Sequence, residues 1–592
     1  MNSPVALSNL AAITPELDAL AAEAMDEWKV PAVTIAVVQN GETALLGAYG
    51  HRDAEAGLPA TPQTQFTICS ITKTFTATGL AMLVGDGRLD WAKPVRDYVP
   101  EFRLHDPVAT ERVTVRDLLS HHSGLPRHDW VWMPGGLSRT EMLAAMRHIE
   151  PSRDIRTSWQ YSNLGYNVAG LVTERISGQS WEDFIRSRIT DPLQMTVSMT
   201  VDDLAQAEDA ATPYIVHRDE RRPTKLWPFH AAAAAGINTS AAAIANWMTF
   251  LLAEGEFAGH RLLDAALIHE MQAPRVLSSG PEREFGHVHY GLGFVTTTYR
   301  GERIVGHSGG WLGWSTLMRL VPERKLGVAV FCNVSGAPVP AILINRVMDR
   351  VCGKEPVPWL ERLRDLRRKA LAQAETDEQT RLAARKSNAP PAHPLPDYAG
   401  SYQHPGYGPI TITAASDALH WAYRCFQGPL EHRHFETFET PQLPYDLNPD
   451  RLALSFHTDR DGNVASLSAQ FEPLVADIVF QRAPGGDCMD PAFRIACAGR
   501  WQHGATTHVV TLQDDGELTL KSDLQPLYHL RPYQGGIFSI VELEGFRLEF
   551  RRGATGTVDE LVFHQPNGTF VAVRMEADPA AASAGSSGPS RS

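Results

Sequence analysis

Three things are scarce in this sequence. Cysteine is the first: the six residues Cys69, Cys332, Cys352, Cys425, Cys488 and Cys497 are scattered over 592 positions, with no C-x-x-C pair. That excludes a disulfide frame and reads as reduced thiols in a cytoplasmic protein. Long apolar runs are the second. None reaches the length of about 20 residues that a membrane-spanning helix needs, so no membrane partner is expected. Positive charge is the third. Lys and Arg number 54 against 68 Asp and Glu, a net charge of −14. Phosphate binding needs basic surface, so nucleic acid is excluded as a partner. The opening Met1 to Leu7 lacks a basic stretch before a long apolar core, and no secretory leader is expected.

What remains is an ordinary soluble composition, 43% hydrophobic and 21% charged. The length is too great for one domain; two to four is the expectation. Near the N-terminus, Thr14 and Pro15 signal the start of a helix over 15–28. Asn40-Gly41 lies between the β-branched runs 33–38 and 43–48, a strong hairpin signal. A short extended run then ends at Ser70, and an apolar helix follows to about Gly85-Asp86-Gly87.

That junction carries the first chemistry. Ser70 sits at a helix start with Lys73 one turn on, and residues three apart share a helix face. A serine hydroxyl needs a neighbouring base to become a nucleophile. Lysine serves only when neutral, which burial beside a positive helix end favours. The same helix end offers the Ser70 N–H to a developing oxyanion. S-x-x-K by itself also fits a capping serine and a surface lysine. Two later stretches decide between these readings: Tyr161-Ser162-Asn163 and His307-Ser308-Gly309-Gly310.

S-x-x-K, then Y-x-N, then [KH]-x-G, in that order, is what penicillin-recognising serine hydrolases carry. The chain resembles the branch (peptidase family S12) holding class C β-lactamases, D-alanyl-D-alanine carboxypeptidases, D-aminopeptidases and β-lactamase-like esterases. The segment from Thr114 to Pro126 (T-V-R-D-L-L-S-H-H-S-G-L-P) is similar to that branch's T-[IV]-R-x-L-L-[ST]-H-x-S-G-[LI]-P, and the resemblance spans roughly residues 15–350. It implies Ser70 as nucleophile and Lys73 and Tyr161 as the proton-transfer pair, with the choice of base between them open. A phenol beside a lysine cation would titrate low or relay a proton. By the same resemblance Asn163 contacts the substrate amide and Lys73. His307, Ser308, Gly309 and Gly310 form the substrate edge, and the Gly310 N–H is the second oxyanion donor. No metal and no cofactor are expected. Histidine in place of lysine at 307 favours peptidases over a dedicated β-lactamase.

Three decoys compete. Gly306 to Gly310 also fits G-x-S-x-G, but a nucleophile elbow requires a following helix, and here another strand is expected, which argues against Ser308 as nucleophile. His121, His122 and His128 lack the partners of a metal site and read as loop packing. Cys69 reads as a small buried residue.

The expected fold is α+β: a β-lactamase/transpeptidase-like domain over 1–357, with helices over about 105–285 and an antiparallel sheet made from both chain ends. Strands are expected at 290–294, 303–307, 315–321 and 326–332. A charged helix from Trp359 to Lys386 and a stretch with four prolines over 387–396 form a linker region, 358–394. Beyond it Ala399-Gly400-Ser401-Tyr402 recurs as Ala498-Gly499-Arg500-Trp501, and Leu454-Ser455-Phe456 as Leu548-Glu549-Phe550. This internal repeat implies two small antiparallel β-barrel-like (lipocalin-like) domains, 395–483 and 490–576. They would cap the cleft or build a homo-oligomer. A disordered tail, 577–592, is expected.

The function expected is a serine hydrolase working through an acyl-enzyme on a small-molecule or short-peptide substrate, with peptidase or aminopeptidase-like activity and D-configuration open. The alternatives are a carboxylesterase, a β-lactamase, and a non-catalytic recognition protein that keeps the fold.

Overall fold

The computed structural model describes residues 8–133, 136–217, 219–227, 230–415, 417–441 and 451–575. The expected leaderless start and the tail at 577–592 lie outside them. The hairpin at Asn40-Gly41 joins β1 (Ala32–Gln39) to β2 (Glu42–Asp53), with both turn residues at positive φ, 53° and 84°, as a tight hairpin turn demands. Seven further strands complete one sheet: β3 (Leu58–Pro59), β4 (Val276–Ser279), β5 (Val288–Tyr290), β6 (Val295–Tyr299), β7 (Glu302–Trp311), β8 (Trp314–Val321) and β9 (Leu326–Cys332). Their order is β4-β5-β6-β7-β8-β9-β1-β2-β3. The N-terminal strand β1 therefore lies against the late strand β9, Val33 opposite Cys332.

Both faces of this seam are covered. Ala32, Ala36 and Val38 join the core beneath the helical region, whereas Val33, Ile35 and Val37 join the core on the other face. Alternation at period two serves two cores at once, so the strand reads as a continuous apolar run. The second core is closed by α1 (Ser8–Glu27) and the long apolar stripe of a C-terminal helix. In chain order the other helices that matter are α2 (Thr72–Gly85), α3 (Asn163–Ser177), α4 (Ala241–Leu252), α5 (Val339–Val351), which is that closing helix, and α6 (Trp359–Ala383).

Two local expectations are corrected. Helix α1 begins at Ser8 and carries Pro15 inside it. Proline there marks no start; the packing of Leu17, Leu20, Ala21 and Ala24 against α5 and the sheet outweighs its missing N–H. The strand expected at 290–294 is a turn between β5 and β6. Gly293 has φ +82°, and a side chain at Gly291 would meet the Met271 carbonyl at 2.3 Å. The glycines break the strand that the apolar residues suggested. Conversely β7 runs on through His307 to Trp311, past the expected end.

Helix α6 runs from the first unit toward the C-terminal region. Arg364 pairs with Glu23 and Glu27 of α1, and Arg381 reaches Glu439 at 2.5 Å. The C-terminal region forms two closed eight-stranded antiparallel barrels, strands spanning 400–482 and 499–574. The sequence repeat has a structural cause. Gly400 and Gly499 adopt φ +154° and +151°, and a Cβ at either would press on the guanidinium of Arg482 or Arg574. Each arginine, from the last strand, lies over the buried Tyr402 or Trp501 ring, at 5.9 and 4.9 Å. Both barrels are filled by aromatic side chains, among them Trp421 and Phe456 in the first and Phe538 and Phe550 in the second.

Among the described residues no helix is long and apolar enough to cross a membrane. One buried charge holds the sheet's far end. Asp349 of α5 is fully buried and accepts from Tyr299 Oη at 3.1 Å, Arg300 Nη1 at 2.7 Å and the Val357 N–H at 3.0 Å. Arg300 is partly exposed, so truncation costs most at the buried Tyr299 hydroxyl and Val357 N–H, which lose their acceptor. Asp349→Ala is therefore expected to cost about 3 kcal/mol, read as a lower urea midpoint for the first unfolding transition.

Candidate active site

Ser70 lies in a single tight turn, Cys69–Ile71, that runs directly into α2. Cys69 is held at φ +50°, a conformation costly for a non-glycine residue. It is fully buried, and burial pushes its thiol up, which keeps it protonated and inert. One turn on, Lys73 is fully buried. Its Nζ lies 3.0 Å from Ser70 Oγ, 2.7 Å from Asn163 Oδ1 and 2.9 Å from the Ala234 carbonyl. Tyr161 Oη donates to Ser70 Oγ at 2.9 Å. Asn163 opens α3, which brings the Y-x-N segment against α2.

The electrostatics separate Lys73 from Tyr161. Burial, helped by the Arg127 guanidinium, holds the Lys73 amine well below its ordinary value. Burial pushes the Tyr161 phenol up to about 12, against the pull of its bond to Ser70. The low-titrating phenol considered from the sequence is thus not what the fold provides. A neutral amine has two N–H groups for Asn163 and Ala234 and a lone pair for the Ser70 proton, matching its three neighbours.

His307 is buried on β7. Its Nε2 lies 2.8 Å from Tyr290 Oη and its Nδ1 2.5 Å from the Ser308 carbonyl. Burial pushes it down to about 3, so the ring is neutral. The Nδ1–H donates to Ser308 and Nε2 accepts from Tyr290. Both nitrogens are engaged, and the ring bears no charge for a substrate carboxylate.

Gly309 is a close-approach point: a Cβ would lie 2.3 Å from the Ile68 carbonyl and 2.9 Å from Cys69 Cβ. Only glycine lets β7 press on the Ser70 turn. Two hairpins fix the hydrogen-bond phase of β7. Tyr299 faces Glu302 across one two-residue turn, and Trp311 faces Trp314 across the other. Antiparallel bonding alternates, so Ser308 and Gly310 turn their N–H groups away from β8. On that side β6 ends opposite Gly306. Both groups therefore sit on an open strand edge along the cleft. Ser308 lies inside a strand followed by another strand, without the helix that a nucleophile elbow needs.

The cleft itself measures about 1100 Å³. Ser70, Tyr161, Asn163, His307, Ser308 and Gly310 all line it, and Lys73 lies beneath. Its walls carry Trp130, Trp132, Trp159 and Trp311, and residues of the first barrel, including Leu452 and Phe471, close one side.

Of the three histidines singled out earlier, His121 and His128 lie in different surroundings. His121 packs among Tyr161, Tyr166 and Tyr290 and accepts the Ser162 N–H at Nδ1. His128 is bound elsewhere, to Tyr407 Oη and the Glu150 carbonyl. Among the described residues no group of three His, Cys, Asp or Glu could hold a metal ion.

Sequence reasoning missed Arg127 and Asp129. Arg127 Nε donates to Asp129 Oδ2 at 2.6 Å, and the guanidinium lies 5.0 Å from the Tyr161 ring centre. The signal was present: an Arg-His-Asp run directly follows the Ser-Gly-Leu-Pro loop. Tyr290 had no such signal, because its role depends on the turn at 291–294.

A family model described as Beta-lactamase matches residues 17–352. A second, a domain of unknown function (DUF3471), matches 384–482, the region of the first barrel. Unguisins hydrolase ungD' of Aspergillus campestris is 30% identical over 417 residues, covering 66% of this chain and 76% of that protein. Protein flp of Staphylococcus aureus is 26% identical over 340 residues, covering 55% of this chain and 64% of that protein. In structure, an octameric penicillin-binding protein homologue from Pyrococcus abyssi aligns with TM-score 0.54 at 24% identity, over 79% of this chain and 99% of that one.

Proposed function

The chain belongs to the beta-lactamase family, and from that premise we propose that it is a serine hydrolase that acts through an acyl-enzyme on small peptide or amide substrates. One observation carries this reading: Ser70 Oγ lies within hydrogen-bond distance of both Lys73 Nζ and Tyr161 Oη at the floor of a cleft. Lys73, neutral, takes the Ser70 proton as Oγ attacks the carbonyl carbon. The N–H groups of Ser70 and Gly310 receive the oxyanion. Tyr161 passes its proton to the departing nitrogen and regains one from the Lys73 ammonium. Lys73 then takes a proton from the water that attacks the ester carbonyl and delivers it to Ser70 Oγ as that oxygen leaves. Asn163 holds Lys73 and offers its amide to the substrate.

The protonated phenol supports amides over esters as natural substrates, because an amine leaves only once protonated, whereas an alkoxide or phenoxide departs more easily. The name of the ungD' relative, a hydrolase of unguisins, is consistent with the same class of activity.

A fluorophosphonate probe is expected to label the wild type and Ser308→Ala but not Ser70→Ala. Hydrolysis by Ser70→Ala and Lys73→Ala should fall by about 1,000-fold or more. Labelling that persists in Ser70→Ala overturns the assignment. Rates on L- and D-aminoacyl p-nitroanilides beside p-nitrophenyl esters then define the substrate.

The pH profile follows from the two shifted groups. Lys73 is active when neutral, so kcat/KM is present above its lowered pKa and lost as pH falls through it. Tyr161 is active when protonated, so the alkaline loss waits until about pH 12. Activity should therefore set in well below pH 10, where an unperturbed lysine, near 10.4, would still be protonated. A steep rise across pH 9 to 11 would show a lysine of ordinary basicity.

A further inference from the structure

Asp129 lies three hydrogen bonds from Ser70, by way of Asn163 and Lys73. Its Oδ1 accepts from Asn163 Nδ2 at 3.3 Å and from Trp132 Nε1 at 2.9 Å, and its Oδ2 accepts from Arg127. A carboxylate only accepts. It therefore turns the nitrogen of Asn163 toward itself and leaves Asn163 Oδ1 facing Lys73.

The backbone carrying Asp129 is strained at the preceding residue. His128 has φ +43°, which is uncommon outside glycine. It is completely buried, its carbonyl accepts from the Val131 N–H, and its three other polar groups are all engaged. Its N–H donates to Glu472 Oε2 at 2.8 Å, its Nδ1 lies 2.6 Å from Tyr407 Oη, and its Nε2 lies 2.8 Å from the Glu150 carbonyl. Two of these three partners belong to the first barrel. On the other side of Asp129, the Trp130 ring stacks on Phe471 at 4.7 Å and 17°, and the Trp130 carbonyl accepts from Tyr423 Oη at 2.7 Å. The barrel thus grips both neighbours of Asp129.

We propose that the first barrel is a working part of the active site: Tyr407, Tyr423, Phe471 and Glu472 clamp residues 128–130, and Asp129, so held, is the positioning residue that aims Asn163 at Lys73. The inference rests on the Ser70–Lys73 reading above. It differs from a lid. A lid decides which substrates enter, whereas a clamp on Asn163 sets the rate of acylation for every substrate, small or large.

The test uses the full chain with Asp129→Ala, Asp129→Asn, Tyr407→Phe and Phe471→Ala, each assayed on p-nitrophenyl acetate and on a peptidyl p-nitroanilide. Asp129→Ala is expected to lower kcat by about 100-fold, the typical cost of an ångström-scale misplacement, with KM within about twofold. Asp129→Asn restores an acceptor and should recover most of that loss. Tyr407→Phe and Phe471→Ala should lower kcat by about tenfold, equally on both substrates. Tyr407→Phe removes one oxygen and keeps the ring, so it carries the test if a larger truncation fails to fold. Unchanged kcat in Tyr407→Phe, or an effect on the long substrate alone, overturns the clamp. Activity surviving in Ser70→Ala would instead sink the underlying hydrolase reading.

Discussion

The structure depends on one nitrogen atom kept out of water. Lys73 Nζ has three neighbours and no solvent contact. An ammonium could donate to all three, so the hydrogen bonds alone do not select the neutral amine. Burial does, because moving a charge out of water costs more than three bonds to neutral acceptors return. Arg127 pushes in the same direction and Asp129 opposes it. Everything that keeps the amine dry therefore serves the chemistry: the apolar face of α2, the alanine run whose Ala234 carbonyl caps the site, and β7 pressing on the Ser70 turn through Gly309.

Non-glycine residues at positive φ gather round this point. Cys69 precedes Ser70, His121 packs on Tyr161, and His128 precedes Asp129. Each conformation costs of order 1–3 kcal/mol. The surrounding structure repays that cost by burying each residue and, at His128, by satisfying every polar group. His121 is the exception, with Nε2 unbonded in a buried setting. Burial, with the Arg127 guanidinium nearby, holds that ring well below its ordinary pKa.

Much of this was legible in the sequence, because short-range physics wrote it there. Ser70 and Lys73 share a helix face at any helix start, and the Asn40-Gly41 turn admits few alternatives. The barrels were announced by a repeat whose glycine and aromatic positions are forced by one arginine stacking on one ring. Other features depend on what the chain meets far away. Pro15 signals a helix start only if nothing holds the preceding turns. Residues 290–294 have the composition of a strand, but the Met271 carbonyl leaves no room for a side chain at Gly291. Arg127 and Asp129 were visible as charges, yet their meaning required knowing that Asn163 lies beside them. The base likewise could not be chosen from residue types, because burial reverses the order of an amine and a phenol only once the walls are in place.

The two barrels share a plan, and their differences show what the first has acquired. In the second, Val558–Gln565 turns into Gly568–Arg574 through the two residues 566–567. In the first, the corresponding strands Val464–Ala469 and Ile478–Arg482 are joined by residues 470–477. That longer connection holds Phe471 and Glu472, the residues that meet Trp130 and His128. Leu452 and Ala453, at the start of the strand Ala453–Thr458, also reach the cleft. Lengthening a surface loop costs little, because closure entropy grows only with the logarithm of its length. A closed barrel with a filled interior can thus extend this loop without disturbing its own core. Residues 470–474 of the loop line the cleft, and the body of the barrel supports them.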